Sequence, residues 1–486
     1  MDRFSRVLQS PCFPVVLILF MQSCSIIGLV KATGILFRDL SKSIEMTSAD
    51  LGTTLGLLYT VGLLSTPIIA FVIKRTSNLQ YLMITGAIIG SSPVILASRS
   101  TSNWHLFVTF GISGIGLYIL RMASLTAMDR FAGDYFNLLY SLSSCGYSAG
   151  MVLFPFLADK LLKYYDWRGV LLILGILMMC MLAGIACVFA ILVTVDGFKA
   201  AREEEEEMER CDQADDTIYE AESNGCSSGE TTDKGPCDDV ADTDPLLTPS
   251  YGHDRVAVDQ ACLNHETIPT NHLDCVVSIA RKVSFWIRNI GFYDDPFSLF
   301  IFLSVGVFFF VYNGWHDFLI PKVLQHGISH EYTIIVTFVA AVGNFSVRLI
   351  IAALTHNSVD PINIHLFLTI LNIISITCDL FIPHYYIVLM TSFCSAAALA
   401  GRACLGILIV RNRFSSENLP IVLSLNNIVE AFGFFLGGYL SGFVADKFSS
   451  YDATFKLLAS VDVLTFVFML FPKMKKKPQI LSDVEN

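Results

Sequence analysis

Residues 168–195 read RGVLLILGILMMCMLAGIACVFAILVTV, and from Gly169 to Val195 the chain carries no charged side chain. A helix needs about 20 apolar residues to cross roughly 30 Å of bilayer hydrocarbon, and this run exceeds that length. It lacks the period-two alternation of a membrane barrel strand, and an open sheet edge cannot face lipid. The run therefore predicts a transmembrane helix. The whole chain fits that reading: of 486 residues, 53% are hydrophobic and only 15% are charged, with a mean hydropathy of +0.59. A soluble domain of this size carries more charge and interrupts its apolar runs.

Working outward, similar runs cover 13–36, 52–73, 80–98, 105–128 and 136–157 before this one, and 297–320, 331–355, 363–382, 385–409, 419–443 and 453–471 after it. The first is too long for the apolar core of a signal peptide and lacks a small-residue cleavage site, so it reads as a retained helix. The expected fold is an all-α membrane protein with twelve transmembrane helices in two six-helix bundles, residues 1–195 and 291–472. Between them lies an acidic stretch, 196–290, and after them a tail, 473–486.

The net charge of −11 is concentrated rather than spread, because about half of the 43 acids fall between 196 and 275, including the unbroken run Glu203 to Glu207. Low hydrophobicity and high charge leave too little apolar surface to offset ordering entropy, so this stretch is expected to be disordered. Near its end, 279–290 has apolar residues at helical spacing with Arg281, Lys282 and Arg288. That fits either a short amphipathic helix on the membrane surface or a lead-in to helix 7. Outside the acidic stretch the chain is near neutral, which excludes a nucleic-acid surface. Lys74, Arg75, Arg411, Arg413, Lys473, Lys475, Lys476 and Lys477 fall on one side with both termini, so that side is predicted to be cytoplasmic, although Lys160, Lys163 and Lys447 lie opposite. The 13 cysteines fall in apolar segments or the acidic stretch, with no pair in an outside loop, so no structural disulfide is expected.

An internal repeat supports the two-bundle reading. Phe156-Leu-Ala-Asp159-Lys160, then Tyr165-Asp166, closes helix 5; Phe443-Val-Ala-Asp446-Lys447, then Tyr451-Asp452, closes helix 11. The signature recurs six helices later in the same place, as two parallel halves would leave it. Small residues at close-packing spacing (Gly146 and Gly150, Ala397 and Gly401, Gly433 and Gly437) let helices approach, as rocking bundles require.

A charge inside a bilayer helix costs about 2.5–3.5 kcal/mol on insertion scales, so each one needs a reason. Lys31, Arg121, Asp317, Arg348, Arg402 and Glu430 are the most interior. Four are cations, and a cavity lined by fixed cations favours an anionic substrate. Arginine grips a carboxylate through two parallel hydrogen bonds, and lysine acts as a movable point charge. Structural readings compete. Lys31 can snorkel to the interface, Arg121 and Arg402 can pair with Glu430 or Asp317, and Asp317 can sit at a helix end. Glu430 either bonds between helices or carries a proton. No phosphate-cradling loop, metal-ligand spacing or nucleophile elbow is present, so the chain reads as a non-enzyme without cofactor or metal.

These residues resemble the monocarboxylate transporter family of the major facilitator superfamily. Leu29-Val-Lys31-Ala-Thr-Gly-Ile-Leu-Phe37 is similar to the family's Phe-Pro-Lys-Ala-x-Gly-Val-Phe-Phe, and Asp166-Trp167-Arg168-Gly169 to its Gly-Trp-Arg-Gly. Val342-Gly-Asn344-Phe-Ser-Val-Arg348 follows its Asp/Asn-x-x-x-Arg pattern, and Arg413-Phe-Ser-Ser416 with Val429-Glu430 its entry to helix 11. The family's opening acidic-Gly-Gly-Trp-Gly-Trp signature is absent, its Arg-Arg pair is replaced by Tyr135-Phe136, and Asn344 stands where proton-coupled lactate carriers have Asp.

The resemblance implies alternating access, with Lys31 and Arg348 binding a carboxylate and Asn344 orienting Arg348. The interior residues add that Arg121, Arg402 and Cys404 shape selectivity and that Glu430 and Asp317 are the proton-coupling candidates. A single-span immunoglobulin-like glycoprotein as partner and a plasma-membrane location also follow from the resemblance. The rival expectations are a proton-independent facilitator of aromatic amino acids or bulkier carboxylates, and a transport-dead scaffold or sensor acting through the acidic stretch.

Overall fold

The computed structural model describes residues 12–76, 78–132, 136–194, 298–356, 359–382, 384–413 and 419–474, and among them every regular element is helical. The acidic stretch, the 279–290 segment and the C-terminal tail beyond Met474 lie outside the described residues. Among the described residues, twelve helices are long and apolar enough to cross a membrane. In chain order they are α1 Cys12–Ile44, α2 Ser48–Arg75, α3 Leu79–Ala97, α4 Asn103–Ala132 and α5, in two pieces, Phe136–Ser144 and Gly146–Leu161. Then come α6 Trp167–Thr194, α7 Ser298–Gln325, α8 His330–His356, α9 Pro361–Phe381, α10 Tyr385–Arg413, α11 Leu419–Phe448 and α12 Tyr451–Met474.

Local chemistry sets several of the boundaries. Glu45, at φ +54°, turns the chain out of α1. Thr47 then caps α2: its hydroxyl accepts from the Asp50 amide while the Asp50 carboxylate accepts from the Thr47 amide, so two orphan donors are met reciprocally. Asp360 caps α9 by accepting from the Ile362 amide, with Pro361 in the first turn, where its missing N–H costs nothing. Helices overshoot the apolar runs that announced them, α1 ending at Ile44 instead of 36 and α11 at Phe448 instead of 443. Intrahelical hydrogen bonds do not stop where the hydrocarbon stops, and Arg38 and Lys42 on the extra turns of α1 are exposed. The fifth helix is broken at Cys145, where the next residue, Gly146, brings α5 against the Phe20 carbonyl of α1.

The enclosure of each helix orders the bundle. The most apolar window of α1 is 78% buried and that of α7 61%, against 22% in α6 and 33% in α12. Helices α1 and α7 therefore line the centre, while α6 and α12 face lipid. Ile68, Phe367 and Met390 project outward, where the bilayer is as apolar as they are.

The small residues divide into two kinds. Gly146 and Gly150 meet α1, Gly433 and Gly437 meet α7, and Gly401 meets Leu368 of α9. All these contacts lie within one half, so they hold each bundle together rather than forming the surface that moves. The close approach between halves uses Gly52, Gly56, Gly438 and Gly442, where α2 and α11 touch backbone to backbone. Adjacent Gly437 and Gly438 face α7 and α2 respectively.

Twelve crossings return the chain to the face where it began. On the opposite face, Asp446 of the repeated signature accepts from the Ser48 and Ala49 amides at 2.9 and 2.7 Å. The Ser48 hydroxyl lies 3.0 Å from that of Tyr451. The second half thus caps the start of α2 in the first half, placing a negative charge at the positive end of a helix dipole. The carboxylate of its repeat counterpart, Asp159, makes no hydrogen bond or ion pair among the described residues.

Candidate functional site

Lys31, Asn344, Arg348 and Cys404 come together where α1, α5, α7, α8 and α10 meet. Lys31, fully buried, donates from Nζ to the His316 carbonyl at 2.6 Å and lies 5.1 Å from the Trp315 ring centre. It has crossed from one half to the other instead of snorkelling. Asp317, one residue further along α7, is also buried; Asn313 donates to its Oδ2 at 2.9 Å while its Oδ1 is unpartnered. Asp317 is not at a helix end, since α7 runs on to Gln325.

Helical spacing places Asn344 one turn before Arg348 on α8. Arg348 Nε donates to Asn344 Oδ1 at 2.9 Å, and that oxygen also accepts from Ser148 of α5 at 3.1 Å. A single amide oxygen therefore orients the guanidinium and ties the two halves together. Arg348 Nη1 donates to Cys404 Sγ at 3.2 Å, and the guanidinium lies over the Tyr147 ring at 5.2 Å. No carboxylate reaches ion-pair distance of Arg348 among the described residues. Cys404 is a free thiol, as are Cys24, Cys145, Cys180, Cys187, Cys378 and Cys394.

Arg402 has a different environment. It is fully buried and forms a two-pronged ion pair with Asp462 of α12 at 2.6 and 3.1 Å. It also donates to Thr369 Oγ1 at 3.2 Å, while Asn372 donates to Asp462 at 2.7 Å. Of the acids weighed from sequence, neither Glu430 nor Asp317 is its partner. Arg121 leans on the Tyr140 and Tyr147 hydroxyls at 3.4 and 3.5 Å and feels the field of Glu430. Glu430 accepts from Asn426 at 2.6 Å and borders a small pocket shared with Phe308, Phe309, His365 and Arg402.

Sequence reasoning missed Asp462, and also Lys322 and Asp379, which form a buried ion pair between α7 and α9. The signal was present, because a lone acid at 379 or 462 inside an apolar run is as costly as the six charges singled out. An aromatic wall was missed as well. Tyr59 stacks on Phe434 at 4.3 Å, Phe434 meets Phe309 and Tyr312 at 4.9 and 5.9 Å, and Tyr312 meets His316 at 4.4 Å.

Twelve spanning helices with a polar cluster at the junction of two six-helix halves define a membrane transporter. The Major Facilitator Superfamily model matches residues 15–378, and the chain belongs to that family. In sequence it is similar to monocarboxylate transporter 6 of Mus musculus, 28% identical over 160 residues, 32% of this chain and 34% of the relative. It is also similar to monocarboxylate transporter 13 of Rattus norvegicus, 27% identical over 170 residues, 35% of this chain and 40% of the relative. The matches thus span well under half of those relatives' length, and they agree with the motif resemblance in naming monocarboxylate transporters. In fold the chain resembles the nucleoside transporter NupG, with a TM-score of 0.59 and 12% identity over 96% of this chain and 100% of that one. A bacterial homologue of the human lysosomal transporter Spinster, inward-facing and unoccupied, gives 0.61 and 13% over 96% and 99%. These two likenesses establish the fold alone.

Proposed function

We propose that this chain is a secondary transporter that moves a small organic anion of the monocarboxylate type by alternating access, its two halves (1–195 and 291–472) rocking about the central cluster. The observation that carries the reading is Arg348: a buried cation whose contacts are an amide oxygen, a thiol and a ring, with no carboxylate among the described residues to neutralise it. A buried uncompensated charge is costly, and a substrate carboxylate is the natural counter-ion. Lys31 supplies a second positive charge from the opposite half, so one anion engages both bundles. Asn344 aims Arg348, Cys404 and Arg121 shape the pocket around it, and Arg402 supports the pocket from behind through Phe308. Asn344 is an amide and carries no proton, so any proton coupling falls to Glu430 or Asp317.

The aromatic wall of Tyr59, Tyr312 and Phe434 supports a second reading, a proton-independent facilitator of bulkier or aromatic carboxylates, amino acids included. The basic residues at the helix ends support cytoplasmic termini. A plasma-membrane location and a single-span immunoglobulin-like partner for delivery there complete the reading, on the motif resemblance alone.

The test is uptake of labelled lactate and pyruvate at about pH 6 and about pH 7.5 by cells expressing the full chain. Arg348→Leu is expected to lower uptake on the order of 100-fold at equal surface expression, since charge-assisted hydrogen bonds to the substrate are lost, and Lys31→Gln somewhat less. Unchanged uptake in Arg348→Leu sinks the assignment. If wild type carries neither acid at either pH, a panel of amino acids and aromatic carboxylates comes next.

A further inference from the structure

His316 is 2% exposed, and neither of its ring nitrogens has a hydrogen-bond partner among the described residues. A neutral imidazole has one N–H to donate and one lone pair to fill, so both functions are stranded in a low-dielectric interior. Packing alone gives no reason for a histidine here, where a phenylalanine would fill the space without that cost. The ring lies 4.4 Å from that of Tyr312 and 5.0 Å from that of Trp315, at the end of the aromatic wall. The electrostatic fields of both Lys31 and Arg348 reach it.

Other unpartnered polar atoms gather in the same region: Asn344 Nδ2, held one turn from Arg348, the Tyr59 hydroxyl at the far end of the wall, and Asp317 Oδ1 beside His316. The amide oxygen of Asn344 and Oδ2 of Asp317 are engaged, so both side chains are fixed in orientation while one polar atom of each stays available. The junction thus offers a cation, a flat apolar wall and, beyond it, a donor and acceptor without partners.

We propose that His316 is a specificity-determining residue that reads a second hydrogen-bonding group on the transported anion, whose carboxylate sits on Arg348 and whose flat body lies along Tyr312 and Phe434. The inference rests on the anion reading above and narrows it to carboxylates that carry a hydroxyl, carbonyl or amine on a compact, preferably aromatic, skeleton. Such a site rejects the analogue lacking the group, because the imidazole is then left unpaired.

The experiment measures binding to the purified full-length protein in detergent, read as thermal stabilisation over a concentration series. The probes are 3-phenylpropionate and two counterparts that differ from it by one hydroxyl, phenyllactate and 4-hydroxyphenylpropionate. Wild type is expected to bind at least one hydroxylated acid on the order of tenfold more tightly than 3-phenylpropionate. His316→Phe brings that ratio close to one while keeping the affinity for 3-phenylpropionate, and His316→Gln, which can still hydrogen-bond, restores part of it. Equal affinities in wild type, or an unchanged ratio in His316→Phe, overturn the role of His316 and leave the anion reading standing. Stabilisation by none of the three, nor by lactate or pyruvate, overturns both.

Discussion

Arg348 and Arg402 are arginines of the same six-helix half, both buried, on helices that lie side by side. Arg402 holds a carboxylate in a two-pronged grip, and Asn372 and Thr369 complete the shell. Arg348 holds an amide oxygen and a thiol. The first is a closed unit whose charges cancel within the bundle. The second keeps a net positive charge at the junction with the other half. A cation in a membrane interior is therefore not by itself a binding group; what distinguishes the two is whether the protein already supplies the anion.

The largest effect should come from opening the closed unit. Asp462→Ala leaves the Arg402 guanidinium buried and unpaired, and a loss of about 3–5 kcal/mol is expected, seen as a collapse of thermal stability and surface expression. Replacing both partners, Arg402→Met with Asp462→Leu, should recover most of that loss. If the double variant is as unstable as the single one, the pair does more than neutralise itself.

The next test converts one arginine into the other. Asn344→Asp puts a carboxylate one turn from Arg348 and so makes a second closed pair. Uptake should fall on the order of tenfold near neutral pH, where the new acid is ionised and occupies the guanidinium. It should rise again as acidification protonates that acid. A pH-independent Asn344→Asp variant with full activity would show that Arg348 is not the substrate's counter-ion.

Much of this comparison was legible in the sequence. Asn344 and Arg348 share a helix face because they are four residues apart, and that spacing survives any arrangement of the other helices. The partner of Arg402 was not legible. Asp462 lies on another helix, in an apolar run whose residues are interchangeable by hydrophobicity, and its facing depends on the rotation of α12. Nor was the isolation of His316 legible, because the absence of partners is a property of what surrounds the ring.

Two smaller effects probe the surface between the halves. Gly438→Ala sets a methyl against the Gly52 backbone, and overpacking of about 1–3 kcal/mol is expected. It should act on the equilibrium between conformations and raise the labelling rate of a cysteine introduced by Ser48→Cys. The smallest concerns the repeated signature. Asp446→Asn keeps an acceptor but loses the charge at the start of α2, worth about 0.3–1 kcal/mol. Asp159→Asn, with nothing to lose, should leave thermal stability unchanged. Equal responses of the two would mean that the repeat works alike in both halves.

The sequence by itself determined that this chain crosses a membrane twelve times, that it is built from two related halves, and which helices carry charges inside the bilayer. Those facts follow from transfer free energies and short-range periodicity, which act residue by residue. Only the tertiary structure decided that Arg402 is neutralised and Arg348 is not, that Lys31 reaches across to the His316 carbonyl, and that Asp446 rather than Asp159 caps a helix of the opposite half. Each depends on the rotation and register of one helix against another. An apolar run leaves both undetermined until glycines, ion pairs and hydrogen bonds between helices fix them together.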